Sequence, residues 1–148
     1  MSALAAAVAF AWLGMVLAIS FLEAPLKFRA PGITVPLGLG IGRLVFRALN
    51  AVEVVLATVV VLAVATAPPG PISLAGVCLA VAVLSVQILV VRPRLRRRSD
   101  AVLAAHTAPP GGIIERSRAH YAYAGLEVVK VGALLTAGAA LQLASVAG

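Results

Sequence analysis

His120, Tyr123, Glu127 and Lys130 recur at spacings of three and four residues near the start of the last apolar segment, so a helix there collects them on one face. Glu127 and Lys130 lie inside sequence that otherwise reads as membrane-spanning. An ionisable group at that depth is costly and marks a candidate site. A second face of the same kind occurs earlier. Arg43, Phe46, Asn50 and Glu53 share one side of a helix, and Ala51–Val55 (AVEVV) matches Gly125–Val129 (GLEVV). Glu53 lies ten residues beyond Arg43, roughly 15 Å along a helix axis, which is near mid-membrane. Two carboxylates and one ammonium at similar depth leave one negative charge over. That carboxylate takes a proton, meets Arg43 or Arg47 reaching inward, or binds a cation; desolvation and the like charge both favour the proton. A third charged pair, Glu23 and Lys27, is four residues apart at the end of the first apolar run and is suited to cap or gate the site.

The elements that must hold these residues are membrane helices. Of 148 residues, 62% are hydrophobic and only 11% charged, about half the charged fraction of a soluble domain. The chain therefore reads as all-α and polytopic, a single four-helix transmembrane domain over residues 1–148. The expected helices are about 3–22, 43–67, 72–91 and 117–146, each long enough for ~30 Å of hydrocarbon. The intervening basic loops are 23–42 and 92–116. Pro25 and Pro31 are expected to stop the first helix, and the Gly/Pro-rich stretch Ile33–Gly42 to lie at the interface or re-enter. Ala7, Ala11, Gly14 and Ala18 on the first helix, and Gly132, Thr136, Ala140 and Ala144 on the last, form small-residue ridges expected to face other helices. Tyr121 and Tyr123 suit an interfacial aromatic belt, and His106 falls in a polar linker.

The net charge of +7 would suggest nucleic acid in a soluble protein. Here eleven of the twelve Lys and Arg fall in the two basic loops or the adjoining helix starts, without interleaved aromatics, so no nucleic-acid partner is expected. They read as orientation signals. Both loops are expected in the cytoplasm and both termini outside, in a plasma (inner) membrane. The run Arg92, Arg94, Arg96, Arg97, Arg98 is expected to bind anionic lipid headgroups. A single cysteine, Cys78, offers neither a disulfide nor a cysteine-based metal site. Helices 1–2 and 3–4 read as two copies of one hairpin in the same orientation. Each has an apolar span, a proline among charges (Glu23–Lys27, Val91–Leu95), an arginine-bearing helix start and a buried glutamate.

The segments Ser20–Phe28 (SFLEAPLKF), Gly42–Glu53 (GRLVFRALNAVE) and His120–Lys130 (HYAYAGLEVVK) resemble the small four-helix membrane family typified by transmembrane protein 205, whose bacterial members are grouped as a domain of unknown function. The resemblance covers most of the chain. It implies a four-helix bundle and the same site faces, and it supplies no agreed activity. More distantly, the architecture looks like four-helix copper-resistance and haem-binding membrane proteins, which use paired histidines or histidine plus lysine; here only His120 is so placed.

Three functions fit. The first is binding or transport of a proton, cation or small cationic solute, with Glu53, Glu127, Lys130, Asn50, His120, Tyr123 and Arg43 as the site and Glu23 and Lys27 as its gate. The second is a membrane redox protein holding haem or quinone near His120 and Lys130. The third is a structural or assembly subunit of a homo-oligomer or larger complex. No nucleophile–base pair, metal-ligand cluster or phosphate loop points to a soluble-type enzyme, and no cofactor is required by the sequence.

Overall fold

The computed structural model describes residues 2–105 and 118–147, all-helical apart from short connections. Four stretches, Ser2–Arg29, Pro36–Thr66, Pro71–Arg97 and Tyr121–Val146, are long and apolar enough to cross a membrane. We label the helices that contain them α1 to α4. α1 starts as Ser2–Val16, widens to a π-helix over Leu17–Glu23, and ends through Ala24–Leu26 and a 3₁₀ turn at Lys27–Arg29. α2 is Val35–Thr66. α3 repeats the plan of α1: Pro71–Val86, a π-helix at Gln87–Val91, then Arg92–Ala105. α4 is Arg118–Ala147.

Several boundaries differ from the sequence expectation, for a shared reason. Neither Pro25 nor Pro93 stops its helix. A proline inside a helix lacks the N–H that would bond to residue i−4 and clashes with that carbonyl. Both helices widen instead in the turn just before it. The Ala24 N–H reaches back five residues to the Ile19 carbonyl, and the Arg92 N–H to that of Gln87. The π-turn absorbs the misfit and the helix runs on. The stretch Ile33–Gly42 is not re-entrant. From Val35 it is the first part of α2, capped by Thr34, whose Oγ1 accepts from the Leu37 N–H at 3.4 Å, with Pro36 in the first turn. The chain reverses between α1 and α2 through Gly32, the one residue with a left-handed φ (79°) among those described. Residues 92–105 are helix, not loop. His106 and the rest of that expected loop up to residue 117 lie outside the described residues.

α4 packs most extensively on α3 and α1, α1 packs on α2, and α2 meets α3 more lightly. Sequence neighbours are thus spatial neighbours, and α2 faces α4 across the bundle. Two apolar layers fill the end near the α2–α3 turn. One is Ala5, Ala6, Val60, Ala63, Val64, Val77, Ala137 and Leu141; the next is Trp12, Leu13, Val16, Ala57, Ala80, Leu84, Ala133 and Leu134. Close approach of α3 to α4 needs Gly76, where a Cβ would lie 2.9 Å from the Ala133 carbonyl oxygen and 2.9 Å from Ala137 Cβ. The ridges that pack are not the expected ones. Ala7, Ala11, Gly14 and Ala18 are exposed on α1, as are Gly132, Thr136 and Ala144 on α4, with Ala140 half-buried. Their small-residue spacing was real, but the adjacent rows, with Ala5, Ala9, Trp12 and Val16 on α1 and Ala133, Ala137 and Leu141 on α4, are the larger-area inward faces.

Candidate functional site

Above the two apolar layers, toward the basic end, lies a layer of polar side chains. Glu53, Gln87 and Lys130 are each 0% exposed and Glu127 is 1%. Lys130 is its centre. Its Nζ donates to Glu53 Oε1 and to Gln87 Oε1 (2.8 Å), and stands 3.2 Å from Glu127 Oε2. The two glutamates on α2 and α4 therefore share one ammonium, as the matched faces require. A carboxylate and an ammonium moved together out of water are tolerable only with such pairing and additional hydrogen bonds.

Glu53 is fully engaged. Its Oε1 also accepts from Trp12 Nε1 at 2.9 Å. Asn50, in the amide orientation that satisfies its neighbours, donates to Glu53 Oε2 at 3.2 Å and to the Phe46 carbonyl at 3.2 Å. Its oxygen accepts from Arg92 Nε (3.0 Å) and Nη1 (2.9 Å). Glu127 differs. It is held more loosely: Lys130 Nζ at 3.2 Å and the adjacent Tyr123 hydroxyl are its neighbours, neither aligned for a full hydrogen bond, and Gln87 Nε2 is likewise buried without an aligned partner among the described residues. Tyr123 sits beside Glu127 and within electrostatic reach of Glu53 and Arg92. Four polar atoms in one buried layer without aligned partners among the described residues leave its hydrogen bonding incomplete at Glu127, in contrast to Glu53.

Tyr123 is 8% exposed, so it belongs to this layer and not to an interfacial belt; Tyr121 is exposed. Its ring meets Phe46 edge-on, with centroids 5.6 Å apart and planes at 81°. Lys27 closes the basic end: its Nζ lies 5.4 Å from the Phe46 ring and 5.7 Å from that of Phe28, and 3.5 Å from Glu23 Oε2. Glu23 and Lys27 thus stand over the aromatic pair that covers Glu127.

Arg43 does not join the site. Its Nη2 pairs with Asp100 Oδ1 at 2.6 Å and approaches the Arg96 carbonyl at 3.5 Å, tying the start of α2 to the extension of α3. Arg47 is exposed. The cation that turns inward is Arg92, half-buried against Asn50. Four charges thus gather, Glu53, Glu127, Lys130 and Arg92, and the surplus carboxylate expected from sequence is offset by an arginine of the run read as a lipid anchor. Of the rest of that run, Arg94, Arg96 and Arg97 are exposed, and the side chain of Arg98 lies outside the described residues, as does that of His120.

Sequence reasoning missed Trp12, Gln87 and Arg92 as members of the site. Each had a signal. Trp12 is the single tryptophan, in an alanine-rich helix, and a buried indole N–H needs an acceptor. Gln87 is the one strongly polar residue between Ile72 and Val91. Arg92 is the member of its run nearest the apolar segment, five residues beyond Gln87. Among the described residues no group of three or more His, Cys, Asp and Glu gathers as metal ligands. No protein-family model matches this chain, and neither does any curated protein or any solved structure.

Proposed function

We propose that the chain is a small protein of the plasma (inner) membrane, both termini outside and the basic loops cytoplasmic, whose buried cluster reversibly takes up a proton or small cation at Glu127. One observation carries this reading: a glutamate 1% exposed, whose neighbours Lys130 and Tyr123 are not aligned to donate fully, while its twin Glu53 is held by three donors. Glu53 is then the fixed anion and Glu127 the exchanging one. Arg92 reaches the layer only at Asn50, on the Glu53 side, so Glu127 is the carboxyl that a proton neutralises most readily. Lys27 and Arg92 near the approach from the basic end oppose metal and organic cations by charge, which favours the proton within the class. The two-hairpin repeat supports the reading too: α1 and α3 share a π-turn before a proline, and α2 and α4 each bring one glutamate.

Difference infrared spectroscopy across a pH series tests it. A carboxylic-acid band should appear as pH falls, vanish in Glu127→Gln and persist in Trp12→Phe. A band absent at every pH above global unfolding, or unchanged in Glu127→Gln, would remove Glu127 as the exchanging group. A second reading, a subunit of a homo-oligomer or larger complex, draws on the outward small-residue rows at Ala7, Ala11, Gly14 and Ala18 and at Gly132, Thr136 and Ala144. Mass measurement of the native particle in detergent tests that separately.

A further inference from the structure

The Lys130 ammonium has three N–H bonds to give and three acceptors around it. Glu53 Oε1 and Gln87 Oε1 (2.8 Å) take aligned hydrogen bonds, while Glu127 Oε2, 3.2 Å away, is not aligned for one. An ammonium bonds a carboxylate more strongly than an amide oxygen at equal geometry. The amide is preferred here because of where α3 puts it. Gln87 is fully buried and opens the π-turn Gln87–Val91, with the Arg92 N–H on its carbonyl, just ahead of Pro93. In an uninterrupted α-helix, residues five apart point about 140° away from each other. The wider turn brings Gln87 and Arg92 toward one face, so that Gln87 meets Lys130 while Arg92 meets Asn50.

Among the described residues, few groups face Glu127. α4 brings Lys130 and Tyr123, α2 brings Glu53 with Asn50, and α3 brings Gln87, with Arg92 at Asn50. From α1, Trp12 acts through Glu53, and the Glu23–Lys27 pair lies beyond Phe46. Lys130 is the cation of this set within ion-pair distance of Glu127, so a group that holds Lys130 elsewhere governs Glu127.

We propose that Gln87 is a positioning residue for proton exchange at Glu127: by taking one N–H of Lys130 it keeps the ammonium from aligning on Glu127, and so sets the pH at which Glu127 takes up its proton. The inference rests on the reading of Glu127 as the exchanging carboxyl. An N–H turned onto the ionised carboxylate stabilises that form and makes protonation harder. Without the amide, the freed N–H has Glu127 Oε2 at 3.2 Å to turn to.

The full chain in liposomes is titrated by difference infrared spectroscopy as wild type, Gln87→Met and Gln87→Leu, whose side chains are of similar size and accept no comparable hydrogen bond. The carboxylic-acid band of Glu127 should appear about one pH unit lower in the variants, the effect of one hydrogen bond gained by the charged form. A purely structural role for Gln87 would lower the thermal midpoint and leave the band where it was. That outcome, or a shift to higher pH, overturns the inference and leaves the Glu127 reading intact, whereas a band absent from wild type removes that reading and this inference with it. A second measurement uses the wild-type chain alone, with isotope labels at the lysine ζ nitrogen and the glutamine δ carbon. Dipolar dephasing between them reports the Lys130–Gln87 contact, since the other glutamine, Gln142, stands roughly 18 Å beyond Lys130 along α4. The dephasing should persist on both sides of the band's midpoint. Its loss above the midpoint would show Lys130 leaving Gln87 for the ionised Glu127, and would refute the inference even if neither variant folds.

Discussion

Lys130 is the residue on which two buried carboxylates depend, and its removal is not symmetrical with theirs. Lys130→Met leaves Glu53 with Trp12 and Asn50 only and Glu127 with no cation, so an uncompensated charge remains in low dielectric. The expected loss is about 3–5 kcal/mol, the usual cost of breaking a buried pair from one side. It should be read as a fall in thermal midpoint in detergent at neutral pH, with partial recovery as acid neutralises a carboxyl. Glu127→Gln removes a charge whose oxygens had no aligned donor. Its midpoint should fall by much less than that of Lys130→Met, because Glu127 is the loosely held carboxylate, while the pH dependence of proton uptake is lost. Strong destabilisation by Glu127→Gln together with a silent Lys130→Met would show that the glutamate is a fixed structural acceptor. Trp12→Phe is the finer probe. It deletes the 2.9 Å hydrogen bond to Glu53 at nearly constant shape, so ~2 kcal/mol of destabilisation is expected, the worth of a hydrogen bond to a charged group. A change no larger than that of a surface control would mean Lys130 and Asn50 hold Glu53 unaided.

At the scale of elements, the bundle depends on how near α4 can come to α3 and α1. Gly76 is the tightest point of that approach, set against backbone and not against a flexible side-chain end. Gly76→Val should therefore force the helices apart and lower the thermal midpoint by the equivalent of about 1–3 kcal/mol, as overpacking does. Gly70→Val in the α2–α3 turn, where an added Cβ meets nothing within 4 Å, serves as the control. Equal midpoints for the two variants would disprove the close-packing role. The elements also show what could be read in advance. Helical spacing put Glu53, Glu127 and Lys130 on facing sides, because burial of charge is so costly that few arrangements satisfy it. Spacing alone could not say which small-residue row packs. In an alanine-rich helix several rows have the same periodicity, and the one with Trp12 and Val16 wins by buried volume. Nor did the prolines reveal themselves. A proline stops a helix or is absorbed by a π-turn depending on whether the chain beyond it gains by continuing, and here continuation carries Arg92 to Asn50. The surplus charge was counted correctly over α2 and α4 and closed by a residue from α3, which no local pattern could supply.

For the molecule as a whole, the polar layer is off-centre along the bundle. From the termini it lies behind two apolar layers; from the basic end, among the described residues, it is covered by Tyr123, Phe46, the Arg92–Asn50 contact and the Lys27–Glu23 pair. A proton crossing the apolar side would have to pass Trp12, Leu13, Val16, Leu84 and Leu134 and then Ala5, Val60 and Leu141, none of which can relay it. Among the described residues the barrier on the basic side is one aromatic pair and one half-buried ion pair, which side-chain motion can open. Exchange at Glu127 should therefore be one-sided. The chain is reconstituted into liposomes and its orientation read by thiol labelling of Arg97→Cys, at an exposed position, in a Cys78→Ser background. A pH step on the basic-loop side is expected to shift Trp12 emission through Glu53 and Lys130, and a step on the terminal side to leave it unchanged. The vesicles should hold an imposed pH gradient as well as protein-free ones. Equal responses from the two sides, or a gradient that collapses when the protein is present and survives in Glu127→Gln, would show a continuous path. The two apolar layers would then have to open during turnover, and transport, not one-sided binding, would be the function of the site.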